Sequence, residues 1–326
     1  MKDGKIWIIG TGNIGGEYAK ILSELSVDFQ AIGRSEQSAA AFEKELQEKG
    51  YPVKHPVIRG GLSQFLRSNP QPPAGAIVAL PIESLQGAAS ELMDYGVQNI
   101  LLEKPGFGYP GEIEDLIRRA KKTGSNVRIA FNRRFYSSVL EAENLIRQDG
   151  GVASFNFEFT EWSHVIAAAK HLKKVNLETL LVNNSSHVID TAFFLGGQPR
   201  EITCYHTGGL PWHPASSVFA GAGISESGAL FSYSANWEAP GRWAIEILTK
   251  AHRLYLKPME SLQVQNIGSV AVNPVEIDDS LDKKFKPGFY LQTKAFVEGD
   301  YSRFCTVEEQ KNHLENYYLK MSGYTF

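Results

Sequence analysis

Cysteine is scarce. The 326 residues hold two, Cys204 and Cys305, too few for a disulfide framework, so a reducing compartment is expected. A strong charge of either sign is also missing: 33 Lys and Arg against 36 Asp and Glu leave a formal net charge of −3. That argues against a nucleic-acid surface, which is normally basic. No apolar run approaches the roughly 18–20 residues that a membrane helix needs. An apolar stretch begins at Lys5 and leaves no room for a cleavable leader. A cytoplasmic protein is expected, without nucleic-acid or membrane partners. Hydrophobic residues at 43% and charged residues at 21% suit a globular chain, and the length suits two domains.

From Lys5 to Gly111 short apolar runs alternate with helical periodicity. Lys5–Ile9, Asp28–Ile32, Ala76–Leu80, Asn99–Leu102 and Val127–Phe131 read as strands. Ile14–Leu25, Ser38–Lys49, Gly61–Arg67, Ile82–Tyr95 and Ile113–Lys122 read as helices. Buried strands separated by helices imply parallel βαβ units with right-handed crossovers, a doubly wound Rossmann sheet over residues 1–130. Beyond that the pattern changes. A helix at Ser137–Gln148 leads to a strand at Val152–Trp162, a helix at Leu180–Phe194, then strands at Glu201–Thr207, Ser216–Ala220, Gly228–Trp237, Trp243–Thr249 and His252–Leu256. Consecutive strands predict a mostly antiparallel open sheet. Helices at Tyr290–Glu298 and Val307–Leu319 close an α+β domain over residues 131–326, expected to bind substrate and mediate a homodimer or higher homo-oligomer.

Gly10-Thr11-Gly12-Asn13-Ile14-Gly15 fits GxGxxG between the first strand and the first helix. The three glycines serve a tight turn, close approach of a pyrophosphate and close helix–strand packing. The helix start offers free N–H groups to phosphates. An NAD-binding unit carries an Asp or Glu at the end of its second strand. Here Ala31-Ile32-Gly33-Arg34-Ser35 has none. Arg34 can pair with a 2′-phosphate and Ser35 can add a hydroxyl, so NADP(H) is expected over NAD(H). Glu36 is the one acid able to reach a ribose hydroxyl.

Glu103-Lys104-Pro105 follows a leucine-rich strand, and ligands of open α/β sheets bind at the carboxyl ends of strands. A lysine there can polarise a reacting oxygen. Within Leu181–Asp190, helical geometry would put Asn183 and His187 on one face, with Asp190 beside the histidine. Asp190 would then orient the imidazole or cap backbone.

The glycine turn, Leu80-Pro81, Glu103-Lys104-Pro105, Phe131-Asn132-Arg133-Arg134-Phe135 and His187-x-x-Asp190 stand in the order of the Gfo/Idh/MocA oxidoreductases, which the chain resembles over most of its length. The resemblance implies hydride transfer between nicotinamide and a carbohydrate-like alcohol or ketone: a sugar, sugar derivative or nucleotide-sugar. It makes Lys104 the contact to the reacting oxygen and His187 the acid–base. It places Pro81 beside the nicotinamide, and Asn132 and Arg133 near cofactor and substrate. Asn183 stands where the family often has Asp, and Leu85 where it often has His. An amide positions a hydroxyl but takes no proton. Reduction of an imine or pigment, or NADP(H) binding without turnover, are the competing readings.

Tyr136 and Tyr290 are pocket candidates by position alone. Trp162, Trp212 and Trp237 suit sugar stacking or core, and Lys170, Lys173 and Lys174 suit a phosphate or a solvated face. His164, His171, His206 and His213 show no metal-ligand spacing with Cys204.

Overall fold

The computed structural model describes residues 4–324. It contains two compact units. One takes the chain through Phe131 and again over Lys284–Lys311; the other takes Asn132–Lys283 and Asn312 onward. No described helix is long and apolar enough to cross a membrane.

The first unit is the parallel doubly wound sheet that alternating strands and helices imply. Its elements are β1 (Ile6–Ile9), α1 (Asn13–Glu24), β2 (Phe29–Ile32), α2 (Glu36–Glu48), α3 (Gly61–Arg67), β3 (Gly75–Val78), α4 (Leu85–Asp94), β4 (Asn99–Glu103), α5 (Glu112–Thr123) and β5 (Asn126–Ala130). All four residues of β1 are buried, because a central parallel strand is covered on both faces. Helix α1 buries Gly15, Tyr18, Ala19, Ile21 and Leu22, a stripe with helical period. The strand order is β2-β1-β3-β4-β5. The connection from β2 to β3 therefore crosses β1, and the order reverses between β1 and β3. Ligands of such sheets bind at that reversal, outside the carboxyl ends. The returning segment adds the strand Cys305–Thr306, antiparallel to β5 with Cys305 opposite Ile129, and a helix, Phe289–Glu298, which packs on α1. Lys104–Pro105 is a cis peptide bond.

The second unit opens with a short turn at Asn132–Phe135 and α6 (Ser137–Gln148). Then follow β6 (Ser154–Glu158), α7 (Ser163–Ala168), α8 (Lys174–Glu178), a π-helical turn at Leu181–Ser185 and α9 (Ser186–Gly196). Strands β7 (Pro199–Thr207), β8 (Val218–Ser225), β9 (Leu230–Asn236), β10 (Ala244–Leu248), β11 (His252–Leu256), β12 (Gln263–Asn266) and β13 (Val272–Pro274) complete an eight-stranded sheet. Its order is β13-β12-β11-β10-β6-β9-β8-β7. Every neighbouring pair is antiparallel except β6 and β9. Helix α9 packs on β6 and β10. The core there is aromatic: Phe155 and Phe157 of β6 stack on Phe231 and Tyr233 of β9 at 5.2 and 5.5 Å between ring centroids. Phe193 of α9 stands edge-on to Phe157 at 5.3 Å. These pairs hold α9, and with it His187, on a rigid platform.

Candidate active site

In the first unit four candidate segments lie at the carboxyl ends of neighbouring parallel strands. Gly10–Gly15 follows β1, Gly33–Ser35 follows β2, Leu80-Pro81 follows β3, and Glu103 ends β4 just before Lys104. The sheet topology alone brings them together.

The glycine turn is shaped for a phosphate. Gly10 has φ +116°, and a Cβ there would stand 2.3 Å from the Ala79 carbonyl oxygen, so it allows the close approach between the ends of β1 and β3. A Cβ at Gly15 would stand 2.1 Å from the Gly10 oxygen. Gly12, which precedes α1, is different: a Cβ there would meet nothing within 4 Å. The fold leaves space over Gly12, where the helix start presents unbonded N–H groups. These residues fit a dinucleotide pyrophosphate. Gly12→Ala is therefore expected to keep its melting temperature within about 2 °C yet bind NADPH at least roughly tenfold more weakly. Gly15→Ala should lower the melting temperature, since the Gly10 carbonyl must move. Thermal melts and fluorescence titration with NADPH check both, and equal melting losses would contradict this account.

At the end of β2, Gly33 donates its N–H to the Ile58 carbonyl at 2.8 Å, and the Gly61 N–H donates back to the Gly33 carbonyl at 2.9 Å. The pairing carries Arg59 alongside Arg34, a neighbour sequence reasoning missed. Arg59 Nε stands 2.6 Å from Glu36 Oε2, and Nη2 lies 3.4 Å from Glu43. Glu36 is thus held in an ion pair. Ser35 caps α2: its Oγ accepts the Ser38 N–H at 3.2 Å and donates to Ser38 Oγ at 2.9 Å. Arg34 is exposed.

Glu103 accepts the Tyr18 hydroxyl at 2.7 Å. Burial pushes its carboxyl above the usual range, while the Tyr18 hydrogen bond and the Lys104 charge pull it back. Burial and the neighbouring Glu103 raise the Tyr18 phenol well above its ordinary value. Glu103 therefore anchors α1 to β4. Behind it, Gln310 donates its Nε2 to the Pro105 carbonyl at 3.1 Å.

The second unit carries the other half of the candidates. His187 is the second residue of α9, buried, with its ring centroid 5.9 Å from that of Trp243. The expected role of Asp190 is corrected. Its two oxygens accept Arg134 Nε at 2.8 Å and Nη2 at 2.6 Å, and both side chains are buried. It neither orients the imidazole nor caps backbone. Asn183 lies in the π-helical turn and His187 at the start of α9. Asn183 donates its amide to the Asn176 carbonyl at 2.7 Å and to Thr179 Oγ1 at 3.1 Å. Asn132 is buried. Arg133 lies over Trp243 and Tyr136, 4.7 and 5.6 Å from the ring centroids. Burial is the main influence lowering the affinity of Arg133 for its proton and raising the Tyr136 phenol.

Sequence reasoning missed Trp243, Arg242 and Glu161. Arg242 lies 4.5 Å from the Trp243 centroid and 4.9 Å from that of Trp162. Glu161 is almost fully buried. It accepts Ser185 Oγ at 2.6 Å and Asn184 Nδ2 at 3.0 Å, with Arg242 at 3.4 Å. Asn184 and Ser185 stood beside the noted histidine, but nothing in their spacing pointed to Glu161.

Other candidates fall elsewhere. Tyr290 stacks on Phe285 at 5.2 Å. Trp237 is core, donating its indole N–H to Phe159 at 3.2 Å, and Trp212 lies against His213. His213 is buried beside Trp237 with Nδ1 on the Leu177 carbonyl, His206 pairs with Ser216, and Lys174 pairs with Glu178. Among the described residues no group of three or more His, Cys, Asp or Glu could hold a metal.

A parallel sheet with this glycine turn at its order reversal defines a dinucleotide-binding domain. Residues 5–131 match the family model described as "Oxidoreductase family, NAD-binding Rossmann fold" of the Gfo/Idh/MocA group. Over those residues the chain is similar to the family's NAD-binding Rossmann domain. No curated protein matches by sequence. Solved structures share the fold at low identity. UDP-N-acetylglucosamine 3-dehydrogenase GnnA from Acidithiobacillus ferrooxidans is 14% identical, covering 98% of this chain and 97% of its own, with TM-score 0.72. A dehydrogenase, MviM, from Clostridium difficile is 19% identical, covering 97% of each chain, with TM-score 0.72. The WlbA dehydrogenase from Chromobacterium violaceum, solved with NADH and UDP-GlcNAcA, is 14% identical, covering 97% and 93%, with TM-score 0.68.

Proposed function

We propose that the protein transfers a hydride between NADP(H) and a carbohydrate-like alcohol or ketone, with sugars and nucleotide-sugars as the substrate class. The observation that carries this reading is the placement of the glycine turn, Pro81 and Lys104 after neighbouring strands of one parallel sheet. Two of the similar structures are titled as a UDP-sugar dehydrogenase and as a complex with UDP-GlcNAcA, which supports the substrate class.

Gly10, Gly12, Asn13, Ile14 and Gly15 hold the pyrophosphate, Gly33 and Arg34 the adenine ribose end, and Leu80 and Pro81 the nicotinamide end. When bound, the nicotinamide supplies the hydride acceptor or donor. Lys104 donates a hydrogen bond to the reacting oxygen and stabilises negative charge as it develops there. His187 takes the hydroxyl proton in oxidation and returns it in reduction. Asn132, Arg133 and Tyr136 are the further candidates for contact with cofactor and substrate, and Asn183 is the candidate for positioning a sugar hydroxyl.

The preference for NADP(H) is tested at Arg34. A hydrogen bond to a charged partner is worth about 1.5–3 kcal/mol, so Arg34→Ala should weaken NADPH binding by roughly 10–100-fold. NADH binding should change by less than about threefold, because its ribose lacks the phosphate. Isothermal titration with both nucleotides decides this, and equal losses would remove the phosphate argument. NADPH oxidation and NADP⁺ reduction are then assayed against hexoses, ketosugars and UDP-N-acetylglucosamine. No turnover of any of them would overturn the substrate class.

A further inference from the structure

Arg133 is a guanidinium set among aromatic rings without a counter-ion. Its Nε is sealed from solvent and meets no hydrogen-bond acceptor, and no carboxylate among the described residues lies within ion-pair distance of it. The acids whose charge reaches it are Glu161 and the exposed Glu260. Glu161 is already engaged by Ser185, Asn184 and Arg242. Arg242 is the second guanidinium on the same indole, its side chain 45% exposed. A cavity lined by Glu161, Trp162, His164 and Trp237 reaches Gly241, the residue before it.

Two cations sharing one ring repel each other, and one buried carboxylate with three donors cannot neutralise both. A largely buried guanidinium without a counter-ion is costly unless an anion arrives to pair with it. The guanidinium fork matches a carboxylate or a phosphate in shape as well as charge. The ring they share lies 5.9 Å from the His187 imidazole.

We infer that Arg133 and Arg242, braced on Trp243, form an anion-recognition element of the second unit, selecting a substrate that carries a carboxylate or phosphate group. This rests on the reading of the protein as a carbohydrate oxidoreductase and narrows its substrate to an acidic one. Trp243 is a positioning residue, fixing the two guanidiniums through its π face. Glu161 fixes Arg242 from behind and limits the element to a single net positive charge beyond its own pairing.

The test is isothermal titration of the full chain, saturated with NADP⁺, with glucose, glucuronate, glucose 1-phosphate and inorganic phosphate. At least one of the two anionic sugars should bind tenfold or more tightly than glucose. Glucuronate against glucose 1-phosphate decides between carboxylate and phosphate. Inorganic phosphate should inhibit turnover in competition with the sugar and not with NADP⁺. Arg242→Gln should lose the anionic preference, and Arg242→Lys should recover part of it. Arg133→Gln should do the same. Equal binding of all three sugars, or an unchanged preference in Arg242→Gln, overturns the element. Loss of NADPH binding in Arg133→Gln with the preference intact also overturns it, since the anion would then be the cofactor's. Should Arg133→Gln melt early, the half-exposed Arg242 carries the test. Failure of the proposed function looks different: no hydride transfer with any sugar, whatever the binding preference.

Discussion

Lys104→Met and His187→Ala are each expected to lower kcat by roughly 10²–10⁴-fold, the range that a positioned acid or base contributes, while the Kd for NADPH stays within about threefold of wild type. Methionine keeps the length and apolar stem of lysine and removes only the ammonium. The variant therefore separates charge at the reacting oxygen from packing after β4. Lys104 follows Glu103, whose hydrogen bond from Tyr18 ties that strand end to α1, so the backbone at Lys104 is held without the lysine head group. His187→Ala lies on α9, which the Phe193 contacts with Phe155, Phe157 and Phe231 keep in place. Single-turnover absorbance changes at the nicotinamide band, together with fluorescence titration by NADPH, give the two readouts. Near-normal turnover in both variants would sink the assignment. A wild-type protein that binds NADPH tightly and transfers no hydride to any polyol or ketosugar would point to a binding protein instead.

How far the sequence foreshadows this arrangement depends on the range of each interaction. The glycine turn is local: strand, three glycines and helix lie within twenty residues, and the period of each is written in the chain. The alternation that makes the parallel sheet is equally local, and parallel strands force the candidate segments to one edge. The return of Lys284–Lys311 to the first unit leaves no such trace. Its strand, Cys305–Thr306, is two residues long, too short to show a period. Strands β12 and β13 are short and partly or fully exposed, so no alternation marks them. The π-helical turn escapes because one inserted residue does not disturb an apolar pattern, though it rotates every side chain beyond it. Arg59, Arg242 and Trp243 escape for a different reason. Each is brought to its partners by strand pairing between distant segments, and an Arg-Trp pair at a strand entry reads equally well as surface.

The second large effect belongs to another long-range contact, the ion pair of Arg134 and Asp190, 56 residues apart in sequence. Asp190→Ala is expected to destabilise the second unit by about 3–5 kcal/mol, because it removes the buried carboxylate that both Arg134 hydrogen bonds end on. With about 2–4 °C per kcal/mol in a unit of this size, the melting temperature should fall by roughly 6–20 °C. The cost should come mainly from desolvation of the survivor, so replacing both partners with apolar residues, Arg134→Met with Asp190→Leu, should recover much of it. Differential scanning calorimetry on the two single variants and the double variant forms the cycle, and additive losses would refute the buried-pair account. The same variants decide a functional question. If Asp190 oriented the imidazole, Asp190→Asn would cost turnover out of proportion to stability. Both of its oxygens instead accept from Arg134, so Asp190→Asn, assayed well below its melting temperature, should keep kcat within about threefold of wild type. A fall comparable with that of His187→Ala would restore the histidine–aspartate coupling that the geometry removes.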